Sequence, residues 1–487
     1  MVTAPVRTVD WAIVVAYLGI LVVAGLVFMR RNRSAADYFN GGGNLPWWVV
    51  SLSIFMSLFS PLTLLAIPAL VYSTDMAYMP IFIAAVLAVP VATRWLLPFF
   101  RSLNMTSAYE YLETRFNLAC RLFASAAFIL FMISLTAVVA YLPAVALAAV
   151  TGISVNVAVV AVMVAVIAFC ALGGLAAMAW MDFVQAILMV AAMAAIVFVL
   201  VSGTDGGFSG CIAKGIESGK CRIFDFSPDW SRPVFWVVAI GGFVGTFVSY
   251  ASDQRVIQRY MAVRDVPSAV RSIHLQIVAS LVTSSLCFFI GLALWTYYSS
   301  AGAFPSIAKN DQILPVFIAN ELPVGLAGVS MAAIAAAALS TLAANLNAAS
   351  AAFTTDFYRR LMLKGRRDEQ KELVCGRIGT VLAGFLGGGL AIVLANGELA
   401  SAYEQFQRYV GMLTAGVAAL FFMGLFMKRV NGIGAACGLV ASYVAVFLID
   451  CASWTGKPHL LLYGFIGMIV CVVVAMLTSL FRGLSPG

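Results

Sequence analysis

About thirteen apolar runs follow one another along this chain, at roughly 10–29, 47–72, 76–99, 121–149, 155–173, 177–202, 233–251, 272–298, 324–353, 374–395, 404–427, 431–450 and 460–481. A helix of about 20 apolar residues crosses a bilayer core, because each residue adds about 1.5 Å of rise. In hydrocarbon every backbone N–H and C=O must be paired within the segment, so such runs fold as helices. The expectation is an all-α polytopic membrane protein. Composition agrees, with 63% of the 487 residues hydrophobic and 10% charged, a balance foreign to soluble domains. The net charge of +8 sits in short loops between the runs, which argues against a nucleic-acid surface. The first run is followed by Arg30, Arg31 and Arg33 and has no small-residue cleavage site, so it reads as an uncleaved spanning helix.

Lys and Arg placement sets the orientation. Of the 29 basic residues, 21 fall in alternate loops that also hold Arg94, Arg101, Arg115, Arg255, Arg271, the stretch Arg359–Arg377, Lys428 and Arg482. The other 8, among them Arg7, Lys220, Arg232, Lys309 and Lys457, fall on the opposite side. Thirteen spans with the N-terminus outside and the C-terminus in the cytoplasm satisfy this split; twelve would misplace a basic loop. Two loop segments look structured: SAYEYLETRF (Ser107–Phe116) starts with a helix-capping Ser and has helical charge spacing, and ASDQRVIQRY (Ala251–Tyr260) continues a span into an amphipathic basic helix. Charge alone reads both as solvated, interfacial helices. Cys211 and Cys221 flank a polar loop and are either a disulfide or two free thiols, depending on the compartment.

One span cannot be a regular helix. SLSIFMSLFSPLTLLAIPALVY (Ser51–Tyr72) places Pro61 behind Ser60, with Ser57 and Thr63 alongside, at mid-depth. Proline lacks the N–H donor and disfavours helical geometry in the residue before it. A break near Phe59–Ser60 leaves carbonyls unpaired where there is no bulk water, which is tolerated where it lines a cavity or binds something. The run 233–251, with Gly241, Gly242 and Gly245 at its middle, would hold the corresponding place five spans later. Two interrupted helices in matching positions of two halves point to inverted repeats around a midplane site.

The partner for this break is sought among polar residues in other spans. In MAAIAAAALSTLAANLNAASAAFTTDFY (Met331–Tyr358), Ala337, Ser340 and Thr341 share one helical face. Their oxygens could join the free carbonyls, and an all-neutral oxygen set suits a monovalent cation such as Na⁺ better than a divalent one. The same Ser and Thr could instead serve as small packing residues between helices. Asp182, in WMDFVQ, is an acid inside a span near its cytoplasmic end and has no obvious partner in the sequence. Such an acid suggests a function, or else an interfacial position.

Taken together, DYFNGGG (Asp37–Gly43), the Ser60–Thr63 break, SAYEYLETRF, GGLAAMAWMDFVQ, SDQRVIQRY, ALSTLAANLN and GLFMKR (Gly424–Arg429) resemble the sodium:solute symporter family over essentially the whole chain. The resemblance implies the leucine-transporter fold: an extra N-terminal helix (10–29), two inverted five-helix repeats (46–203 and 233–427) and two C-terminal helices (431–482). It implies a Na⁺ site made by the carbonyls of Met56, Phe59 and Ala337 and the hydroxyls of Ser340 and Thr341. A second site, in members like the sialic acid symporters, would use the match to Asp182 with Ser340 and two further serines. Those two positions are Ala343 and Ala344 here, which points to one Na⁺ per cycle and a coupling role for Asp182.

By the same matching, Ser60, Thr63, Phe82, Thr246 and Gln407 surround the solute. Leu135 stands where the sialic acid branch has a carboxylate-reading basic residue, and Phe82 replaces a polar one. These changes favour a small organic acid or other modestly polar solute; the alternatives are a sugar or sialic acid symporter with an altered pocket, or a non-transporting sensor or channel. Arg408 is a weak candidate for attracting an anion, or a snorkelling interfacial residue. An intramembrane protease would need a Ser–His pair or paired aspartates at depth, and His274 and His459 lie near span ends. The expectation is a monomeric, multi-pass symporter of a bacterial-type inner membrane, with lipid, Na⁺ and a small solute as its partners and no nucleic acid.

Overall fold

A computed structural model describes residues 8–29, 38–39, 41–103, 105, 107–302, 304–307, 309–397, 402–453 and 456–482. Arg7, Arg30, Arg31 and Arg33, used above for orientation, and Asp37 and Asn40 of the DYFNGGG motif lie outside the described residues. Among those described there is no strand. The chain runs through α1 (Thr8–Met29), α2 (Trp47–Leu58), α3 (Ile67–Ser73), α4 (Ile81–Val91), α5 (Leu97–Leu103), α6 (Glu110–Arg115), α7 (Leu118–Thr151) and α8 (Val155–Ser202). It continues through α9 (Gly207–Glu217), α10 (Phe235–Ala251), α11 (Gln254–Met261), α12 (Val266–Ala301), α13 (Ile313–Glu321) and α14 (Leu326–Ala352). The last four are α15 (Glu369–Asn396), α16 (Ala402–Phe426), α17 (Gly432–Cys451) and α18 (Tyr463–Arg482).

Among the described residues nine helices are long and apolar enough to cross a membrane, or up to eleven when the two sharply bent pairs α2/α3 and α10/α11 each count as one. The expected count was thirteen; two shorter apolar stretches, Thr8–Tyr17 within α1 and Val155–Ala171 within α8, are described besides these. The split inside α8 comes from Gly174, whose φ of 67° and ψ of 179° are non-helical. A side chain there would be strained, so glycine separates the two apolar runs without a loop.

Helix α14 is the hub. It is the most buried of the spans, and its contacts reach α1, α7, α8 and α15. Its run of alanines keeps neighbouring backbones close, the route by which helices associate where lipid removes the hydrophobic drive. Helix α2 packs on α8, α12 and α14, so the broken span lies against this hub. At one end, Asp10 of α1 accepts from the backbone N–H groups of Gly325 and Gly328, each at 2.8 Å. A carboxylate from another helix thus satisfies orphan donors at the α14 N-terminus.

The opposite end, which we term the basic end, is tied by ions. Asp356, fully buried, accepts from Ser107 and Ser125, both at 2.8 Å, and pairs with Arg121 at 2.8 Å. Arg121 and Arg360 both reach Glu113, at 2.8 and 2.7 Å. These two arginines hold the Glu113 carboxyl below its ordinary range. SAYEYLETRF is therefore not a solvated helix: Ser107, Ala108, Tyr109, Tyr111 and Leu112 are buried, and Tyr109 donates to the Ser252 carbonyl at 2.8 Å. Its charges face buried partners, which the segment's own pattern could not reveal. Cys211 and Cys221 are both free thiols.

Across the molecule, His459 secures the short helix Leu460–Leu462. Its Nδ1 accepts from Leu461 N–H at 3.3 Å, which leaves the neutral ring's proton on Nε2, 3.2 Å from the Tyr78 hydroxyl. Burial pushes this imidazole down from its ordinary 6.5 to about 4. Protonation therefore favours the unfolded chain, and the contribution of the neutral ring is present above pH 6.5 and lost as pH falls toward 4. His459→Gln should flatten the melting temperature against pH over that window; curves parallel to those of the unaltered protein would contradict it.

Candidate ion site and solute cavity

The break stands where Pro61 requires it. Helix α2 ends at Phe59, whose backbone is extended (φ −81°, ψ 93°). The next helical turns begin after Pro61 with a π-helix at Leu62–Ala66 that leads into α3. The two halves are bent by 60°. Ser60 Oγ accepts from Leu62 N–H at 3.2 Å, a local cap for the second half.

Thr341 of α14 faces the gap, its Oγ1 3.3 Å from the Met56 carbonyl oxygen and 3.5 Å from that of Phe59. These spacings exceed those of a good O–H···O bond. Oxygens that share a cation at about 2.4 Å and roughly right angles stand about 3.4 Å apart, and Na⁺ is close in size to the Ca²⁺ that takes oxygens at this range. The three oxygens can thus hold one monovalent cation. Ala337, one turn earlier on α14, is fully buried on the same face. Ser340 is engaged differently: its hydroxyl donates to Asp182 Oδ1 at 2.5 Å rather than turning to the carbonyls.

Asp182, left without a partner in the sequence, has three. Besides Ser340, Ser53 of α2 donates to Oδ2 at 2.5 Å, and Arg259 Nη2 of α11 lies 3.5 Å from the same oxygen. Arg259 Nε donates to Ser53 Oγ at 2.8 Å. Asp182 and Arg259 are each only 2% exposed. The second charged pair is beside it: Arg255 meets Asp253 at 2.5 Å, Asn345 Oδ1 at 2.8 Å and the Ser57 carbonyl at 3.4 Å. This corrects the reading of SDQRVIQRY as a solvated helix, because Gln254 to Tyr260 are all buried. Helix α11 turns 51° from α10 and drives its arginines into the interior. An overlooked signal was the i, i+4 spacing of Arg255 and Arg259, which puts both on one face.

Next to the break is a cavity of about 300 Å³. Of the anticipated solute residues, Ser60, Leu135, Thr246 and Gln407 line it. Thr63 and Phe82 do not. Phe82 packs edge-on to Phe288, 5.5 Å between rings, in an apolar cluster with Val71, Met76 and Leu292. Thr63 lies past the bend, where its N–H is taken by the Ser60 carbonyl at 2.9 Å. Arg408 is also absent from the wall: its Nε lies 3.3 Å from Asp450 of α17, which Lys457 approaches at 3.8 Å. The wall has polar groups that the sequence did not single out, Ser249, Gln276, Ser280 and Thr414. Tyr250 donates to Gln276 at 2.6 Å, and Gln276 donates to Ser280 at 2.8 Å. Thr341 and Ser60 belong both to the break and to the cavity wall.

A broken helix, a hydroxyl-bearing partner helix and a solute-sized cavity between them are the marks of a secondary transporter. Residues 38–442 match the model of the sodium:solute symporter family, and the chain belongs to that family. A sodium/sialic acid symporter of Aliivibrio fischeri is 33% identical, over 97% of this chain and 93% of its own. The solved structure of a Na⁺-coupled sialic acid symporter in a substrate-bound outward-open state superposes with TM-score 0.90 at 30% identity, covering 99% of each chain. A nucleobase-cation-symport-1 transporter, at 14% identity and TM-score 0.59 over 93% of this chain and 96% of its own, shares the fold. The fold is that of the leucine transporter, as the sequence led us to expect.

Removing one partner of a buried ion pair costs about 3–5 kcal/mol, because the other charge is left uncompensated. Arg259→Gln and Asp182→Asn should therefore each lower the melting temperature sharply. The double variant should lose clearly less than the sum; strict additivity would show that the two do not interact.

Proposed function

We propose that this protein imports a small organic solute together with Na⁺ by alternating access, one Na⁺ per cycle. The observation that carries the reading is Thr341, which reaches the Met56 and Phe59 carbonyls on one side and the solute cavity on the other. On this reading, Na⁺ at Met56, Phe59, Ala337, Ser340 and Thr341 holds the broken span against α14 and so shapes the wall at Ser60. Loss of Na⁺ to the cytoplasm releases both. The membrane potential contributes about 2.3 kcal/mol per charge per 100 mV. Asp182 is coupled to the same helices through Ser53 and Ser340. With alanine at positions 343 and 344, Arg259 rather than a second Na⁺ is its counter-charge.

The basic end faces the cytoplasm in this reading and the N-terminus lies outside, in a bacterial-type inner membrane, with a single chain as the working unit. The two halves, 46–203 and 233–427, act as inverted repeats around the site, with 10–29 and 431–482 as additions.

For the solute, the relatives favour the reading held above as the alternative. Similarity to sialic acid symporters over nearly the full length supports an acidic sugar in an altered pocket, with Ser60, Thr246, Gln276 and Gln407 placed for its hydroxyl and amide groups. A second reading, a small monocarboxylate, rests on Leu135 together with Phe128 and Phe131 in the wall. A pocket that leaves many hydroxyls unsatisfied rejects them by several orders of magnitude.

Thr341→Ala should raise the Na⁺ concentration for half-maximal uptake at least about tenfold, the loss expected for roughly 1.4 kcal/mol; unchanged Na⁺ affinity would sink the assignment. Uptake by the unaltered protein should follow Na⁺ with a Hill coefficient near one, whereas clear cooperativity would restore a second ion. In competition, N-acetylneuraminate should displace a labelled solute at far lower concentration than lactate or pyruvate, and the reverse order would establish the monocarboxylate reading.

A further inference from the structure

A groove of about 440 Å³ opens on the lipid-facing side at the basic end, between the π-helix Phe353–Met362, which prolongs α14, and the first half of α15. Its two walls are chemically graded. Along α15, Lys371, Val374, Ile378 and Leu382 follow one another at helical spacing on a single face. The 11 steps from the first to the last rise about 16 Å. Lys371 stands at the loop end, while Val374, Ile378 and Leu382 are 55%, 55% and 56% exposed and run toward the bilayer interior. The facing wall gives Phe353 and Tyr358.

The connection between the walls, residues 363–368, carries three cations, Lys364, Arg366 and Arg367, all exposed. None of the three has an ion pair among the described residues, whereas Arg359 is bound to Glu372 and Arg360 to Glu113, each at 2.7 Å. Lys371 shares Asp368 at 2.9 Å but stays 63% exposed. Lys364 and Gly365 both take positive φ, 51° and 80°, which turns the chain tightly in the connection between the two walls.

We propose that this groove binds an anionic phospholipid, with the phosphate at Lys364, Arg366, Arg367 and Lys371 and an acyl chain along Val374, Ile378 and Leu382. Polar at one end and apolar for about 12 Å below it, from Val374 to Leu382, the groove has the profile of such a molecule and not of a soluble anion. Basic residues at a membrane surface each contribute about 1 kcal/mol toward anionic lipid. Because one wall is the π-helix that prolongs α14, its occupant braces the hub helix from the basic end. The inference does not depend on which solute is carried.

The test uses the full chain in detergent, with phosphatidylglycerol, phosphatidylcholine or inorganic phosphate added separately. Native mass spectrometry should retain phosphatidylglycerol in preference to phosphatidylcholine, and phosphatidylglycerol alone should raise the melting temperature. Replacing Lys364, Arg366 and Arg367 by Gln should weaken its binding by roughly 100-fold, about 3 kcal/mol for three cations. Val374→Glu, which places a carboxylate in the apolar part, should weaken it with the cations intact. Equal retention of the two lipids, an unchanged phosphatidylglycerol response in the triple variant, or a shift of the same size from phosphate would each overturn the proposal.

Discussion

Everything at the centre of this protein follows from two carbonyls that cannot be paired by their own helix. Pro61 supplies no donor to the Ser57 carbonyl, which Arg255 approaches at 3.4 Å, and the 60° bend after Phe59 turns the second half of the span away from the Met56 and Phe59 carbonyls. In the membrane interior no bulk water replaces the missing partner, and an unsatisfied buried polar group costs about 1–3 kcal/mol. Thr341 is the donor that faces the gap, and the alanine-rich surface of α14 lets the two backbones come close enough for it to do so. The same hydroxyl at a distance of 3.3–3.5 Å is also the natural third oxygen for a cation. On the proposed reading, structure and ion binding draw on one interaction, and the cavity beside the break shares its wall.

A second constraint is the handling of charge. Asp182 with Arg259, Asp253 with Arg255 and Asp356 with Arg121 are three acid–base pairs in buried positions. Charges taken out of water are tolerated when paired and hydrogen-bonded, and each of these acids has hydroxyl, backbone or amide neighbours as well. They lie toward the basic end and join α2, α6, α7, α8, α11 and α14 across the bundle. On the transport reading this is the end that must open to release Na⁺ and solute. Such opening would separate paired charges in concert, which favours two discrete states over gradual deformation.

Much of this was legible in the chain. Periodicity and length give helices, the Pro61 break is explicit, and the i, i+3, i+4 placement of Ala337, Ser340 and Thr341 puts them on one face before any coordinates are seen. Other features belong to tertiary packing. SDQRVIQRY looks like a solvated basic helix because its own residues do not say that Asp182, on a segment about 75 positions away, waits at the end of Arg259. Phe82 and Thr63 have residue types suited to a pocket, yet one packs on Phe288 and the other sits beyond the bend. Ser249, Gln276 and Ser280 were missed because isolated polar residues in membrane helices usually bond to their own backbone, and only the cavity groups them.

The most direct test of the central claim is equilibrium binding of ²²Na⁺ to the purified protein without solute. The account predicts saturation at one ion per chain, abolished when Thr341 loses its hydroxyl and kept when Arg408 is altered. Two ions per chain, or binding indifferent to Thr341, would contradict it.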